Sequence, residues 1–298
     1  LTLQERAELS QAPKVFCEPD EMRASIETVR QQGKLVGIVP TMGALHAGHL
    51  SLVQAAKQEC DVTVVSIFLN PTQFAPTEDL GKYPRTFDRD LELLTAARTD
   101  FVFAPNVETM YPANCSTYIA GPDVAKKLEG EKRASHFQGV TTVVTKLFHI
   151  IPADSAYFGQ KDFQQALVLY RMVEDLNFGI NIRVCPIVRE PDGLAMSSRN
   201  VFLSPEERQR ALALWRSLQA GSKAISQGMD DAEQVAETMR SILTAGGVTS
   251  IDYVYIGDPE TLEPADLRSA RADKAKVVLL VAAYVGATRL IDNLLITA

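Results

Sequence analysis

Short β-branched and aromatic runs alternate with stretches of helical spacing through the first 190 residues. The runs are "LVGIV" (35–39), "DVTVVSIFL" (61–69), "DFVFA" (100–104), "STYIA" (116–120), "DSAYFG" (154–159) and "NIRVCPIV" (181–188). Each predicts a strand. Between most of them lie stretches that read as helices, at 20–32, 48–59, 87–98, 140–151 and 162–177. In the last of these Phe163, Leu167, Tyr170 and Val173 recur at steps of three and four, which lines one helix face. Strand–helix alternation predicts an α/β fold with a Rossmann-like parallel sheet covered on both faces. In such folds ligands bind beyond the carboxyl ends of the strands.

The pattern changes after about residue 200. "SPEERQRALALWRSLQAGSKAI" begins with Ser204 as helix cap, Pro205 at the first helical position and acids behind it, so it predicts a long helix. A second helix is expected over 231–245, ending at Gly246-Gly247. Strands "IDYVYIG" (251–257), "KVVLLVAAYVG" (276–286) and "TRLIDNLLI" (288–296) follow. Helices and then strands predict a second, smaller α+β domain. The expected division is 1–187 for the Rossmann-like domain and 188–298 for the smaller one.

Composition narrows the class. The chain has 298 residues and a formal net charge of −7 with mixed signs throughout, which does not favour nucleic acid as a partner. Cys17, Cys60, Cys115 and Cys185 form no CxxC pair and read as reduced thiols of a cytosolic protein. "LTLQERAELSQAP" lacks the basic start and apolar core of a signal peptide, and "VVLLVAAYV" is too short to span a bilayer. The expectation is a soluble cytoplasmic protein without a membrane partner. There is no GxxxxGK[ST] and no GxGxxG, so neither a P-loop nor a standard dinucleotide site is indicated.

Candidate chemistry lies where the first strong strand hands over to a helix, in "LVGIVPTMGALHAGHLSLVQAA". The first turn of a helix has amides without intrahelical partners and carries partial positive charge, which makes it an anion site. His46 and His49 share a helix face at i and i+3, and Gly48 between them lets a bulky group approach the backbone. Two imidazoles can donate to phosphate oxygens. The alternative is that the rings merely cap or pack; a metal is weak without a third ligand. Two further loops offer donors. "REPDGLAMSSRN" carries Ser197, Ser198 and Arg199, or else is a polar turn between domains. "YFGQKDFQQALVLY" sets Lys161 at a helix start, where a cation is disfavoured unless an anion is bound.

"PTMGALHAGHL", "SIFLNPTQF", "YPRT", "HFQGVTTVVTKLF", "FGQKDFQQ", "DGLAMSSRN" and "TRLIDN" together, in this order along nearly the whole chain, resemble the pantoate–β-alanine ligase (pantothenate synthetase) family, within the HxGH nucleotidylyltransferase superfamily. The resemblance implies ATP-dependent condensation of (R)-pantoate with β-alanine through a pantoyl adenylate, with Mg²⁺ and a homodimer. It also implies site roles. The ATP-binding residues would be Met42, Gly43, Ala44, Leu45, His46, Ala47, Gly48 and His49; Gly159, Gln160, Lys161 and Asp162; and Val188, Met196, Ser197, Ser198 and Arg199. Of these, His46, His49, Lys161, Ser197, Ser198 and Arg199 would act on the phosphates. Gln73 and Gln165 would hold pantoate, with Pro40 and Met42 against its dimethyl carbon, and Gln73 would also meet β-alanine. Asn70, Phe74, Arg133, His136 and Phe158 border the same regions, Phe158 being equally suited to the core. Gln160 stands where the family commonly has Glu, and Arg89 where relatives can carry an acid; Asp90, with Asp88 and Glu92 nearby, is the candidate metal ligand. The 70–84 stretch has no regular period and is expected to be a lid over a reactive adenylate, or an ordinary surface loop. An enzyme moving AMP onto a phosphate would want Lys or Arg in the acceptor pocket rather than Gln73 and Gln165; a nucleotide-binding regulator would release no pyrophosphate.

Overall fold

The computed structural model describes residues 12–75 and 79–298. The leader-free reading of the N-terminus and the middle of the expected lid fall on residues outside these. The chain divides into two compact units, one made of residues 1–159 and 164–186, the other of 160–163 and 187–298.

The first unit is built on six parallel strands, β1 (Lys14–Phe16), β2 (Val36–Thr41), β3 (Val62–Ile67), β4 (Phe101–Phe103), β5 (Ser155–Gly159) and β6 (Asn181–Cys185), in the order β1–β4–β3–β2–β5–β6. Side chains alternate along a strand, and the alternation sorts them cleanly. Ile38, Val64, Phe103 and Phe158 pack with Met22 and Ile26 of α1 (Pro19–Gln31) and with Val140, Val144 and Leu147 of α4 (His136–Ile150). Val39, Val65, Val102 and Tyr157 pack instead with Leu52, Val53 and Ala56 of α2 (Ala47–Glu59) and Leu94 of α3 (Phe87–Ala96). Helices on both faces are what near-continuous apolar strands require. The strand order reverses between β2 and β5, which makes their carboxyl ends the expected ligand crevice.

Two sequence expectations are corrected here. "STYIA" is not a strand; the main chain of its Ile119 is satisfied by threonine hydroxyls of α4, with the Ile119 N–H donating to Thr142 Oγ1 (2.9 Å) and Thr141 Oγ1 donating to the Ile119 carbonyl (2.6 Å). Side chains thus do the work of a neighbouring strand. The helix expected at 140–151 begins earlier, at His136, and Gly139 lies inside it, packed against the Thr72 carbonyl. Strand β1 and the last short helix are additions to the expected elements; each is only a few residues long and has little period to read.

In the second unit α6 (Pro205–Ser226) and α7 (Ala232–Ala245) precede β7 (Ser250–Gly257), α8 (Leu267–Asp273), β8 (Lys276–Val285) and β9 (Thr288–Thr297). The strands form an antiparallel sheet in the order β7–β8–β9. Alternate residues Val277, Leu279, Val281 and Ala283 of β8 share a core with Leu214 and Leu218 of α6 and Val235 and Met239 of α7. The start of α6 is as expected: Ser204 Oγ accepts from the Glu207 amide (3.2 Å) while Glu207 Oε2 accepts from the Ser204 amide (2.8 Å). Among the described residues no helix is long and apolar enough to cross a membrane.

Candidate active site

The loop after β2 turns sharply at Gly43 and Ala44, both with positive φ (83° and 52°). Asp90, on α3 and only 1 % exposed, holds this turn: its carboxylate accepts from the amides of Ala44 (2.9 Å) and Leu45 (2.9 Å) and from Thr86 Oγ1 (3.1 Å). A side chain at Gly43 would press on that carboxylate, with a Cβ 3.2 Å from Oδ2. Asp90 therefore serves as a brace. Its carboxylate already accepts three hydrogen bonds from this turn, and among the described residues no group of three His, Cys, Asp or Glu side chains could hold a metal.

The loop delivers His46 as the cap of α2. His46 Nδ1 accepts from the Gly48 amide (3.1 Å), and His49 Nδ1 accepts from the His46 amide (3.3 Å). The rings lie 4.1 Å apart between centroids. The capping alternative is thus realised, and the Gly48 amide is not open to an anion. Capping also sets the tautomer: a nitrogen that accepts from a backbone N–H carries no proton, so each neutral ring holds its proton on Nε2. The pair presents two ring N–H donors where part of the helix amides were expected to act.

The turn after β3 carries Asn70, Gln73 and Phe74. Asn70 Nδ2 donates to Gln73 Oε1 (3.1 Å) and to the Gly139 carbonyl (3.1 Å), and its Oδ1 accepts from Tyr111 Oη (3.0 Å). Gln73 Nε2 donates to Met42 Sδ (2.9 Å), tying this turn to the β2 loop. That leaves Gln73 one amide hydrogen and one carbonyl lone pair for a ligand. Its main-chain carbonyl accepts from His136 Nδ1 (2.9 Å) and from Arg133 (3.4 Å), so His136 carries its proton on Nδ1, opposite to His46 and His49. Gly139 allows the close approach: a Cβ there would lie 2.5 Å from the Thr72 carbonyl oxygen.

On α5 (Phe163–Asp175) two glutamines differ. Gln164 is buried and braces residues 124–129 through the carbonyls of Val124 and Lys127 and the amide of Glu129. Gln165 is half-buried, and its side chain makes no hydrogen bond among the described residues. Pro40 lies in β2 opposite Ser66, and Phe158 is core. A cavity of about 520 Å³ lies beyond β2 and β3, lined by Met42, Gly43, Phe68, Leu80 and Phe87; it includes neither histidine nor Gln73.

In the second unit Gln160, Lys161 and Asp162 form a 3-10 turn, with Lys161 Nζ 3.6 Å from Asp162 Oδ1. The "REPDGLAMSSRN" stretch is a short hairpin: the Met196 amide donates to the Val188 carbonyl (3.0 Å), and the Glu190 carbonyl accepts from Gly193 (2.8 Å). Ser197 Oγ accepts from the Arg199 amide (3.2 Å) and caps a 3-10 turn from Ser198 to Phe202. The hairpin is anchored by residues that the motif reading missed. Arg189 makes a bidentate pair with Asp292 (2.7 and 2.9 Å) and lies over Trp215, 3.8 Å from the ring centre. Burial raises the Asp292 carboxyl above the usual carboxylate range, and the Arg189 guanidinium offsets only part of that rise. Next to it, Asn293 bonds to Gln160 and Lys161. The signal was in the sequence, in the polar pair Asp292-Asn293 flanked on both sides by apolar pairs.

Residues 14–295 match the family described as pantoate-beta-alanine ligase. A pantothenate synthetase from Thermotoga petrophila is 54% identical over 274 residues, covering 92% of this chain and 96% of its own. The crystal structure of pantothenate synthetase from Thermus thermophilus superposes with a TM-score of 0.86 at 42% identity, covering 94% of this chain and 98% of its own. Pantoate-beta-alanine ligase from Francisella tularensis, solved in complex with beta-gamma ATP and beta-alanine, gives a TM-score of 0.77 at 32% identity over 95% of this chain and 98% of its own.

Proposed function

The chain belongs to the pantoate–β-alanine ligase family, and from that premise we propose how its residues divide the work. The enzyme condenses pantoate with β-alanine at the expense of ATP. A carboxylate is a poor acyl donor because its leaving group would be oxide. We assign the chemistry to two steps. A pantoate carboxylate oxygen attacks the α-phosphorus, the bond to the bridging oxygen breaks, and pyrophosphate leaves with the electron pair. The β-alanine amine then attacks the acyl carbon, the bond to AMP breaks, and the nitrogen gives up a proton.

The observation that carries this reading is the pair of imidazoles whose Nδ1 atoms are occupied by the helix cap. Their Nε2–H groups neutralise charge that builds on the phosphates, and they are held in place before the nucleotide arrives. Lys161, Ser197, Ser198 and Arg199 supply further donors to the phosphates, with Asp162 toward the ribose and Val188 toward the base. Gln73 and Gln165 hold pantoate through amides, which add no charge that would compete as a nucleophile. Mg²⁺ enters with ATP, held by phosphates and water rather than by a protein cage. The four free cysteines suit the reducing cytoplasm, and the reading includes a homodimer, which sedimentation would check.

One assay tests the assignment. Protein with ATP, Mg²⁺ and pantoate releases pyrophosphate without β-alanine, and AMP appears with pantothenate once β-alanine is added. Absence of pyrophosphate before β-alanine, or turnover indifferent to the acid supplied, contradicts it.

A further inference from the structure

Strand β9 is apolar except for a few positions, and two of these are adjacent and buried: Asp292 (4 % exposed) and Asn293 (1 % exposed). A polar side chain in such a place must have its partners built in. Asn293 has them all within a few residues. Its Nδ2 donates to the carbonyls of Gln160 (2.9 Å) and Lys161 (3.0 Å), and its Oδ1 accepts from Gln160 Nε2 (3.1 Å). Both amide hydrogens are thus spent on consecutive main-chain carbonyls, which fixes the peptide on which Lys161 stands. Gln160 suits this pairing where a glutamate would not, because a carboxylate there would face the Asn293 oxygen without a hydrogen between them. Asp292, one residue earlier, grips Arg189, which also donates to the Gly193 carbonyl (3.1 Å) in the hairpin leading to Ser197.

The geometry points to Asn293 as a positioning residue for the adenylation step: by holding the Gln160 and Lys161 carbonyls, it fixes the direction in which the Lys161 ammonium meets the phosphates. The inference rests on the phosphate role given to Lys161 above. Asn293 touches no reacting atom; it acts through the lysine. An ammonium on a flexible stem gains most from a fixed base, since a misplacement of about 1 Å in a charged group can cost on the order of a hundredfold in rate.

The test is a double-mutant cycle on the full chain, reading pyrophosphate release with ATP, Mg²⁺, pantoate and β-alanine. Asn293→Ala is expected to lower kcat by about ten- to a hundredfold while the KM for pantoate moves less than about threefold. In a Lys161→Ala background the same change should cost less than about twofold, because the group it positions is gone. Losses of equal size in both backgrounds would overturn the inference, since a merely structural residue behaves that way. Full activity of N293A beside an impaired K161A overturns it alone. Full activity of K161A overturns the premise and the inference together. Should N293A fail to fold, N293S, which keeps a donor of shorter reach, takes its place in the cycle, and each outcome bears on the inference in the same way.

Discussion

The two units secure their candidate residues by different means. In the first, the loop bearing His46 is gripped through its main chain: Asp90 takes the amides of Ala44 and Leu45 from a buried position, and the imidazoles cap their own helix. In the second, the hairpin bearing Ser197 and Arg199 is tied by guanidinium–carboxylate pairs, Arg189 with Asp292 and Arg208 with Glu190 and Asp192. The outer of these pairs sit in reach of solvent, where ion pairs contribute little and are screened by salt. A loop held through its backbone by a buried carboxylate depends little on the ionic strength. A loop held partly by exposed charges keeps some freedom. Rigid donors suit the phosphates that must be stabilised during the reaction; a looser segment suits contacts that form and release with each turnover.

The contrast is broken most readily at the histidines. His49→Ala should lower turnover by about a hundred- to a thousandfold, the usual loss for a preorganised donor to a developing charge, while circular dichroism stays that of the parent and stability falls only by the capping bond, about 0.5–2 kcal/mol. Parent-like activity would remove the imidazole from the chemistry. Asp90→Asn comes next. An amide NH₂ would face a main-chain N–H in a buried site, and each group so stranded costs about 1–3 kcal/mol. Urea unfolding should register that loss, with activity down about tenfold from the displaced loop. The Mg²⁺ concentration needed for half-maximal activity should not change; a large shift would restore Asp90 as a metal ligand.

Gly139→Ala sharpens the first unit's side of the comparison. Its methyl would meet the Thr72 carbonyl at 2.5 Å, and overpacking of this kind costs about 1–3 kcal/mol. Because the neighbour is the backbone beside Gln73, KM for pantoate should rise more than KM for ATP. The smallest effect belongs to the second unit. The Arg208 guanidinium holds the Asp192 carboxyl below its ordinary range through a hydrogen bond. A depressed carboxyl adds stability above its unfolded pKa, about 3.9, and loses it as pH falls through the lower folded value. Asp192→Asn should therefore cost less than about 1 kcal/mol near neutral pH, and the difference should shrink below about pH 4 and in high salt. A gap that persists at about pH 3 would mean that packing, not charge, is what Asp192 contributes.

Much of this was legible along the chain. Runs such as residues 35–39 and 61–69 are long and β-branched enough to declare parallel strands, and the Ser204-Pro205 start marks α6 without ambiguity. The histidine pair was visible as a spacing. What the rings do with their nitrogens was not, because a capping bond depends on the φ and ψ of His46. The role of Asp90 escaped for another reason. A carboxylate 41 residues beyond His49 reads as a ligand until its partners are seen, and those partners are main-chain amides, which have no letter in the sequence. "STYIA" misled because strand propensity says only that a segment is extended, not what satisfies it. Asn293 stands within a motif yet has no role until its two carbonyl contacts are seen.

The central claim concerns the imidazole protons, and nitrogen-15 NMR of labelled histidine reads them directly. Long-range proton–nitrogen correlations should show His46 and His49 as Nε2–H tautomers in the free protein, with His136 as the Nδ1–H tautomer. On adding ATP and Mg²⁺ the Nε2 signals of the first two should move while their Nδ1 signals remain those of acceptors. Protons found on Nδ1 of either ring, or Nε2 signals indifferent to saturating nucleotide, would contradict the account.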